Sequence, residues 1–389
     1  MIYIGDIRFR TANKWNLHHL EYYIHNLNKE MKIRKKIYKE IDNVKFISEL
    51  GEDLDSELGE DYLDSDSDDD MWISEDSSLW KKGDVVLLNR DIFQFGGRNN
   101  SMVQYLKESR LHYQQNLNKF MSLEQKGIIF PFDVAMNYYI AQKKYYEDFQ
   151  EECRVIYYGN KENELLKSLS QLDNEVKVTL KRGFSNSSMN VQTTTVEMIR
   201  NKQNAPIPGF LWEDVFVEDT DDTPQIKTCV QLHYIEPAEY KLCYIVKNNI
   251  PYLVGHISPI PPNYSTLNQE RQEHTKWNVI AEKCQNFAYK IACQIIIKKP
   301  KHRHVFYRID VFYDFLSKDI ILNEIDSYQC NMFCYFKDNN YGRKKFVKIY
   351  KDIIEAAKSS KAEDEQMEQK EQTEQTEQTK QNKTNKLRF

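Results

Sequence analysis

Nowhere in its 389 residues does the chain carry an apolar run near the ~20 residues that a membrane-spanning helix needs. Its opening, Met1-Ile-Tyr-Ile-Gly-Asp-Ile-Arg-Phe9, is too short and too soon charged for a secretory signal. The seven cysteines are scattered among apolar neighbours, as Cys243 is in Leu-Cys-Tyr-Ile. Cys330 and Cys334 stand four apart with no second ligand pair beside them, which argues against a zinc site. This usage predicts reduced core thiols in a cytoplasmic protein. Glycine is scarce, at 12 residues, and bases are missing altogether from 52–70. That stretch holds eleven acids, so a net charge of −5 leaves about +6 on the remainder. A mildly basic remainder suits either a polyanionic ligand or simple solvation. No aromatic-basic motif of a nucleic-acid binder accompanies it.

What is present divides the chain. A first strand is expected within 1–9, and apolar positions at helical spacing run through 14–40. Asp64-Ser-Asp66-Ser-Asp68 lacks the central Gly and closing Glu of a calcium loop, so about 50–75 reads as a disordered acidic insertion. Asp84-Val-Val-Leu-Leu-Asn89 is a buried strand, about 100–122 is helical, and 128–130 is a short strand. Asp133 is placed to cap a helix over 134–150. Strands alternating with helices indicate an α/β unit with a mostly parallel sheet.

Beyond 152 strands dominate, at 154–158, 176–182, 228–235, 239–247, 250–257, 305–315 and 319–326. One long helix spans about 266–297, with Trp277, Ile280, Cys284, Ala288, Ile291 and Ile295 on one face. This is an α+β pattern of antiparallel hairpins with a helix packed on them. From 357 to 389 the chain is of low complexity, with three Glu-Gln-Thr repeats, and is expected to be disordered.

The chemistry concentrates in a hairpin. Tyr307-Arg308-Ile309-Asp310-Val311-Phe312 and Asn323-Glu324-Ile325-Asp326 lie on strands joined by a turn at 315–318. Alternation puts Arg308 and Asp310 on one face of the first strand, and Glu324 and Asp326 on one face of the second. Pairing then gathers three carboxylates beside an arginine. At ~4 Å and an effective dielectric near 20, each like-charged pair costs about 4 kcal/mol, so a proton or a cation must intervene. Hard oxygen ligands suit Mg²⁺ and Arg308 suits phosphate. On the hairpin alone, an exposed face with an Arg–Asp ion pair stands equally well.

Upstream lie further candidates. Ala141-Gln142-Lys143-Lys144 ends a helix. Val176-Lys-Val-Thr-Leu-Lys181 points Lys177, Thr179 and Lys181 away from an apolar face, and the loop Gly183-Phe-Ser-Asn-Ser-Ser-Met-Asn190 follows. Thr228-Cys-Val-Gln-Leu-His-Tyr-Ile235 is an apolar strand, and Glu236-Pro-Ala-Glu-Tyr-Lys241 leads into the next.

In this order, across about 125–336, the motifs resemble the ATP-grasp superfamily. The departures are Gln142 for an acid, one glycine in the loop, Lys241 for a frequent Arg, and Asp326 for a frequent Asn. The resemblance implies an N-terminal pre-ATP-grasp α/β domain (1–130), then an ATP-grasp fold of two α+β subdomains clasping ATP (131–228 and 229–356), and a disordered tail (357–389). It implies that either Lys143 or Lys144, together with Lys181, Lys241 and Arg308, meets the phosphates, and that Ser185, Ser187 and Ser188 supply hydroxyl donors. Gln231, Leu232, His233 and Tyr234 would line the adenine, Glu236 or Glu239 would bind the ribose, and Asp310, Glu324 and Asp326 would hold one or two Mg²⁺ ions. The implied activity is ligation: a carboxylate substrate is activated as an acylphosphate for attack by an amine or thiol. The alternative is an ATP-binding protein without turnover, working with a protein partner. Glu213-Asp-Val-Phe-Val-Glu-Asp-Thr-Asp-Asp222 is similar to the acidic stretch of the ATP-grasp assembly chaperone of translation initiation factor two.

Overall fold

A computed structural model describes residues 2–5, 44–46, 81–88, 121–183, 191–202, 227–233, 237–257, 270–298, 304–327 and 340–386. The expected helix at 14–40, the acidic insertion and most of 100–122 lie outside the described residues. Three strands near the N-terminus, β1 (Ile2–Gly5), β2 (Val44–Phe46) and β3 (Val85–Leu88), form a parallel sheet in the order β2-β1-β3. Ile129 bridges in parallel to Val85 at its edge. The parallel pairing expected there is what these strands show; the helices expected between them lie outside the described residues.

Two antiparallel four-stranded sheets follow. The first has the order β4-β7-β5-β6, from β4 (Val155–Gly159), β5 (Lys177–Arg182), β6 (Val191–Thr195) and β7 (Thr228–Leu232). Val178, Leu180 and Val230 on one face pack with Leu165 and Leu169 of α4 (Glu162–Leu169) and with Ile199 of α5 (Val196–Arg200). Neither these helices nor β6 was expected from the sequence. The strand Val191-Gln-Thr-Thr-Thr195 lacks apolar alternation and sits at a sheet edge.

The second sheet has the order β11-β10-β8-β9, from β8 (Pro237–Lys247), β9 (Ile250–Ile257), β10 (Phe306–Asp314) and β11 (Ile320–Ser327). Tyr307, Ile309, Val311 and Tyr313 alternate onto its core face. The long helix α6 (Glu270–Lys298) lies across that face through Ile280, Cys284, Ala288, Ile291 and Ile295, at steps of three and four residues. Each fully buried Ile there contributes about 2 kcal/mol of transfer free energy.

Two expectations fail. The single helix over 134–150 is instead three short pieces: α1 (Val134–Ala141), α2 (Tyr145–Asp148) and α3 (Gln150–Cys153). Asp133 does cap the first, since Met136 N–H donates to Asp133 Oδ1 at 2.7 Å. The break falls at Lys143, whose φ of 56° is left-handed and ends the helical ladder. The stretch 357–386 of the segment expected to be disordered is helical instead. It continues α7 (Asn340–Lys386), because Glu, Gln, Lys and Ala are good helix formers and the repeat contains no Pro or Gly. Low hydrophobicity rules out a core for it, but not a solvated helix. Among the described residues, no helix is long and apolar enough to cross a membrane.

Candidate functional site

The β10–β11 hairpin builds the site. Its turn is held by Asp314, whose Oδ1 accepts from Leu316 N–H at 2.9 Å and whose Oδ2 accepts from the Ser317 hydroxyl at 2.7 Å. Arg308 pairs with Asp326 and Asp310 with Glu324, on the face opposite the core. One oxygen from each of Asp310, Glu324 and Asp326 lies within 4.8 Å of the others.

Strict alternation over Ile320-Ile-Leu-Asn-Glu-Ile-Asp326 would put Leu322 on the same face as Glu324. Yet Leu322 is fully buried in the core. A bulge resolves the conflict: Asp310 pairs with Glu324 while Val311 pairs with Leu322, and Asn323 is the extra residue. The bulge returns Leu322 to the core and leaves the carboxylates on the open face.

Three cations pair with these acids and a fourth lies beside them. Arg308 donates through Nε and one terminal nitrogen to the two oxygens of Asp310, both at 2.8 Å, and also contacts Asp326. Lys241, opposite Asp310 on β8, reaches Asp310 Oδ2 at 2.8 Å and Glu239 Oε2 at 3.1 Å. The left-handed turn at Lys143 aims its ammonium at Glu324 Oε1, 2.5 Å away. A left-handed non-glycine residue costs on the order of 1–3 kcal/mol, and here the turn lies against the site. Gly183 closes on the same turn, where a Cβ would stand 3.2 Å from the Gln142 carbonyl oxygen.

Lys181, on β5, is buried. Its ammonium donates to Asn323 Oδ1 at 2.5 Å, and to the Asn323 carbonyl and the Tyr146 hydroxyl at 3.2 Å each. These three acceptors are neutral. Burial, with Lys143 adding to it, lowers the Lys181 pKa. Burial also acts on the carboxylates. It pushes Asp326 up to about 7, reinforced by Glu324 and Asp310 against the pull of Arg308. Glu324 is held down at about 2, because Lys143, Lys181 and Arg308 outweigh its burial. Lys143 is likewise raised: burial opposes its charge, but Glu324 and Asp326 overcome it.

The remaining expected residues divide. Lys144 is exposed, so of the two adjacent lysines it is Lys143 that reaches the cluster. Gln231 is buried and its side-chain amide donates to the Cys153 and Leu322 carbonyls, at 2.5 and 3.2 Å. Its bond to Leu322 ties the two sheets together. The N–H groups of Leu232 and His233 donate to the carbonyls of Arg154 and Lys177. His233 Nδ1 lies 3.0 Å from the Thr179 hydroxyl. Of the two ribose candidates, Glu239 is at the cluster. Ser185, Ser187, Ser188, Tyr234 and Glu236 lie outside the described residues, as does 213–222, on which the chaperone alternative rests.

Sequence reasoning missed Asn323 and Tyr146. The signal for Asn323 was present, as a polar residue directly after the apolar run Ile320-Ile-Leu322. The donor set fits a hard divalent cation: three carboxylates, one of them raised in pKa by burial and then by its acidic neighbours, with no sulfur or imidazole among them.

No protein-family model matches the chain, and no curated protein matches it. Among solved structures, it is similar to D-cycloserine synthetase at 8% identity and a TM-score of 0.49, over 90% of this chain and 100% of that one. It is similar to D-alanine-D-alanine ligase from Helicobacter pylori at 15% identity and a TM-score of 0.38, over 61% of this chain. It spans 65% of that ligase, a little under two thirds of its length. The corresponding ligase from Coxiella burnetii gives 13% identity and a TM-score of 0.41, over 64% of this chain and 67% of that one. These are weak overall superpositions, and the functional reading rests on the site's own residues.

Proposed function

We propose that this cluster binds Mg-ATP and that the chain is an ATP-grasp ligase, activating a carboxylate for attack by an amine or thiol. One observation carries the reading. Lys143, Lys241 and Arg308 come from three separate stretches of the chain and pair with three carboxylates contributed by β10 and β11, while Lys181, from a fourth, is held beside them by Asn323. A site for a hydrophobic or cationic ligand has no use for four cations. Asp310, Glu324 and Asp326 would hold one or two magnesium ions, which neutralise charge on phosphate oxygens. Lys181 is suited to phosphate because its ammonium is already buried and is held by neutral groups, so no carboxylate need be displaced from it. In the reaction that the resemblance implies, a carboxylate oxygen of the substrate bonds to the γ-phosphorus as the β–γ bridge breaks toward ADP. The amine or thiol then attacks the acyl carbon and phosphate departs. The chain's part is positioning and charge neutralisation, and no nucleophilic side chain is required.

Isothermal titration of Mg²⁺ with ATP tests this. Binding is expected in the parent and should be lost in Asp310→Ala and Glu324→Ala proteins that remain folded by circular dichroism. Parent-like binding in both variants would overturn the assignment.

A further inference from the structure

Asn323 is the residue that the bulge adds to β11, and its polar atoms are engaged in every direction. Its Oδ1 accepts from Lys181 at 2.5 Å, and its Nδ2 donates to Glu239 Oε1 at 2.9 Å. Its carbonyl accepts from the Tyr146 hydroxyl at 2.8 Å. The amide orientation follows from chemistry, since an ammonium only donates and a carboxylate only accepts. Lys181 belongs to the first antiparallel sheet, whereas Glu239 and Asn323 belong to the second. One buried amide therefore spans the two sheets that face the site.

We propose that Asn323 is a positioning residue, setting Lys181 and Glu239 at a fixed separation for the phosphates and sugar of a nucleotide; this rests on the Mg-ATP reading above. The residue type is what the task needs. An aspartate at 323 would make a full ion pair with Lys181 and compete with phosphate for it. It would also face Glu239 with like charge. A leucine would leave the buried ammonium short of an acceptor. Asparagine holds the ammonium without cancelling its charge, and orients the carboxylate with the other end of the same group. The bulge is the backbone device that allows this. It lets a polar residue be inserted next to Leu322 without moving Leu322 from the core.

The test uses the full chain with ¹³C,¹⁵N-labelled lysine. Mg-ATP affinity and the Lys181 side-chain resonance, assigned through Lys181→Met, are followed in Asn323→Leu and Asn323→Asp. Asn323→Leu is expected to weaken Mg-ATP about ten- to a hundredfold, as the loss of a hydrogen bond to a charged group does, and to shift the Lys181 signal. The Asn323→Leu/Lys181→Met double variant should be no weaker than the worse single variant. Asn323→Asp should raise the Lys181 pKa and still weaken binding, and it decides the matter alone if the leucine variant does not fold. Parent-like affinity in the variants, or additive losses with an unmoved Lys181 signal, would overturn the proposal while leaving Mg-ATP binding intact. A parent protein that does not bind Mg-ATP at all would overturn the nucleotide reading itself.

Discussion

Replacing Asp310 by Asn removes the one carboxylate shared by Arg308 and Lys241. Asp310 is fully buried and the arginine side chain is 9% exposed, so two cations would be left facing a neutral amide. Breaking one side of such a buried network costs about 3–5 kcal/mol. Urea unfolding of Asp310→Asn should therefore show a loss of that order, and a second change, Lys241→Met, should recover part of it by removing a charge left with Glu239 as its carboxylate partner. At the same scale, Cys229 lies within the core, and burial pushes its thiol up to about 12 despite the opposing pull of Lys181 and Lys143. An ordinary thiol ionises near 8.5 and labels faster as pH passes through that value. In the folded chain, Cys229 should label with iodoacetamide no faster at pH 9 than at pH 7. The sign also sets a stability trend. The unfolded thiol ionises first, so this group's contribution to stability is present below about 8.5 and is lost as pH rises toward 12. Mass spectrometry of labelled peptides separates Cys229 from the partly exposed Cys293.

At the scale of elements, the β10–β11 hairpin was legible because β-strand alternation is a strong signal, and it brought Arg308, Asp310, Glu324 and Asp326 to one face before any coordinates. The bulge was not legible, because a period of two carries no mark for one inserted residue. Only the burial of Leu322 reveals it. The left-handed turn at Lys143 was hidden for a similar reason: Ala-Gln-Lys-Lys reads as a helix end, but contains no Gly or Pro to mark a left-handed residue. The hairpin pattern yields a prediction that strict alternation would get wrong. Deleting Asn323 leaves Glu324 opposite Asp310 and Leu322 opposite Val311, now in a regular ladder. That deletion should keep the fold while losing the contacts to Lys181, Glu239 and Tyr146. Deleting Leu322 instead presents Asn323 to the core position opposite Val311. The cost is a buried leucine, about 2–5 kcal/mol, plus a polar group forced among Ile309, Ile325 and Tyr313. Thermal melts of the two deletions should differ by far more than their shared loss of one residue would suggest, and equal melts would argue against the bulge.

At the scale of the whole molecule, α7 joins a packed half to a solvated half. Val347, Ile349, Tyr350, Ile353, Ile354, Ala356 and Ala357 are buried, and Lys247 of β8 lies 3.4 Å from Asp352, so 347–357 are part of the body. Beyond Glu363 the burial that is described is all exposed, at Gln366, Lys370 and 373–377. Composition had suggested that this stretch has no core, and the residues whose burial is described agree. What composition did not separate is the absence of a core from the absence of a helix: at 1.5 Å per residue, 364–386 extends about 35 Å as helix with nothing to bury. Such a segment is held by propensity and by side-chain pairs worth a few tenths of a kcal/mol, and not by packing. A stop codon after Glu363 should therefore leave the melting temperature and Mg-ATP affinity unchanged, while lowering the helical signal at 222 nm in proportion to the residues removed. A stop after Lys345 takes away the buried face and should lower the melting temperature by many degrees, since Ile353 and Tyr350 alone each leave a cavity of side-chain size. If the shorter truncation leaves the 222 nm signal untouched, 364–386 is not helical in solution. If it lowers the melting temperature as much as the longer one, the division of α7 into packed and solvated halves is wrong.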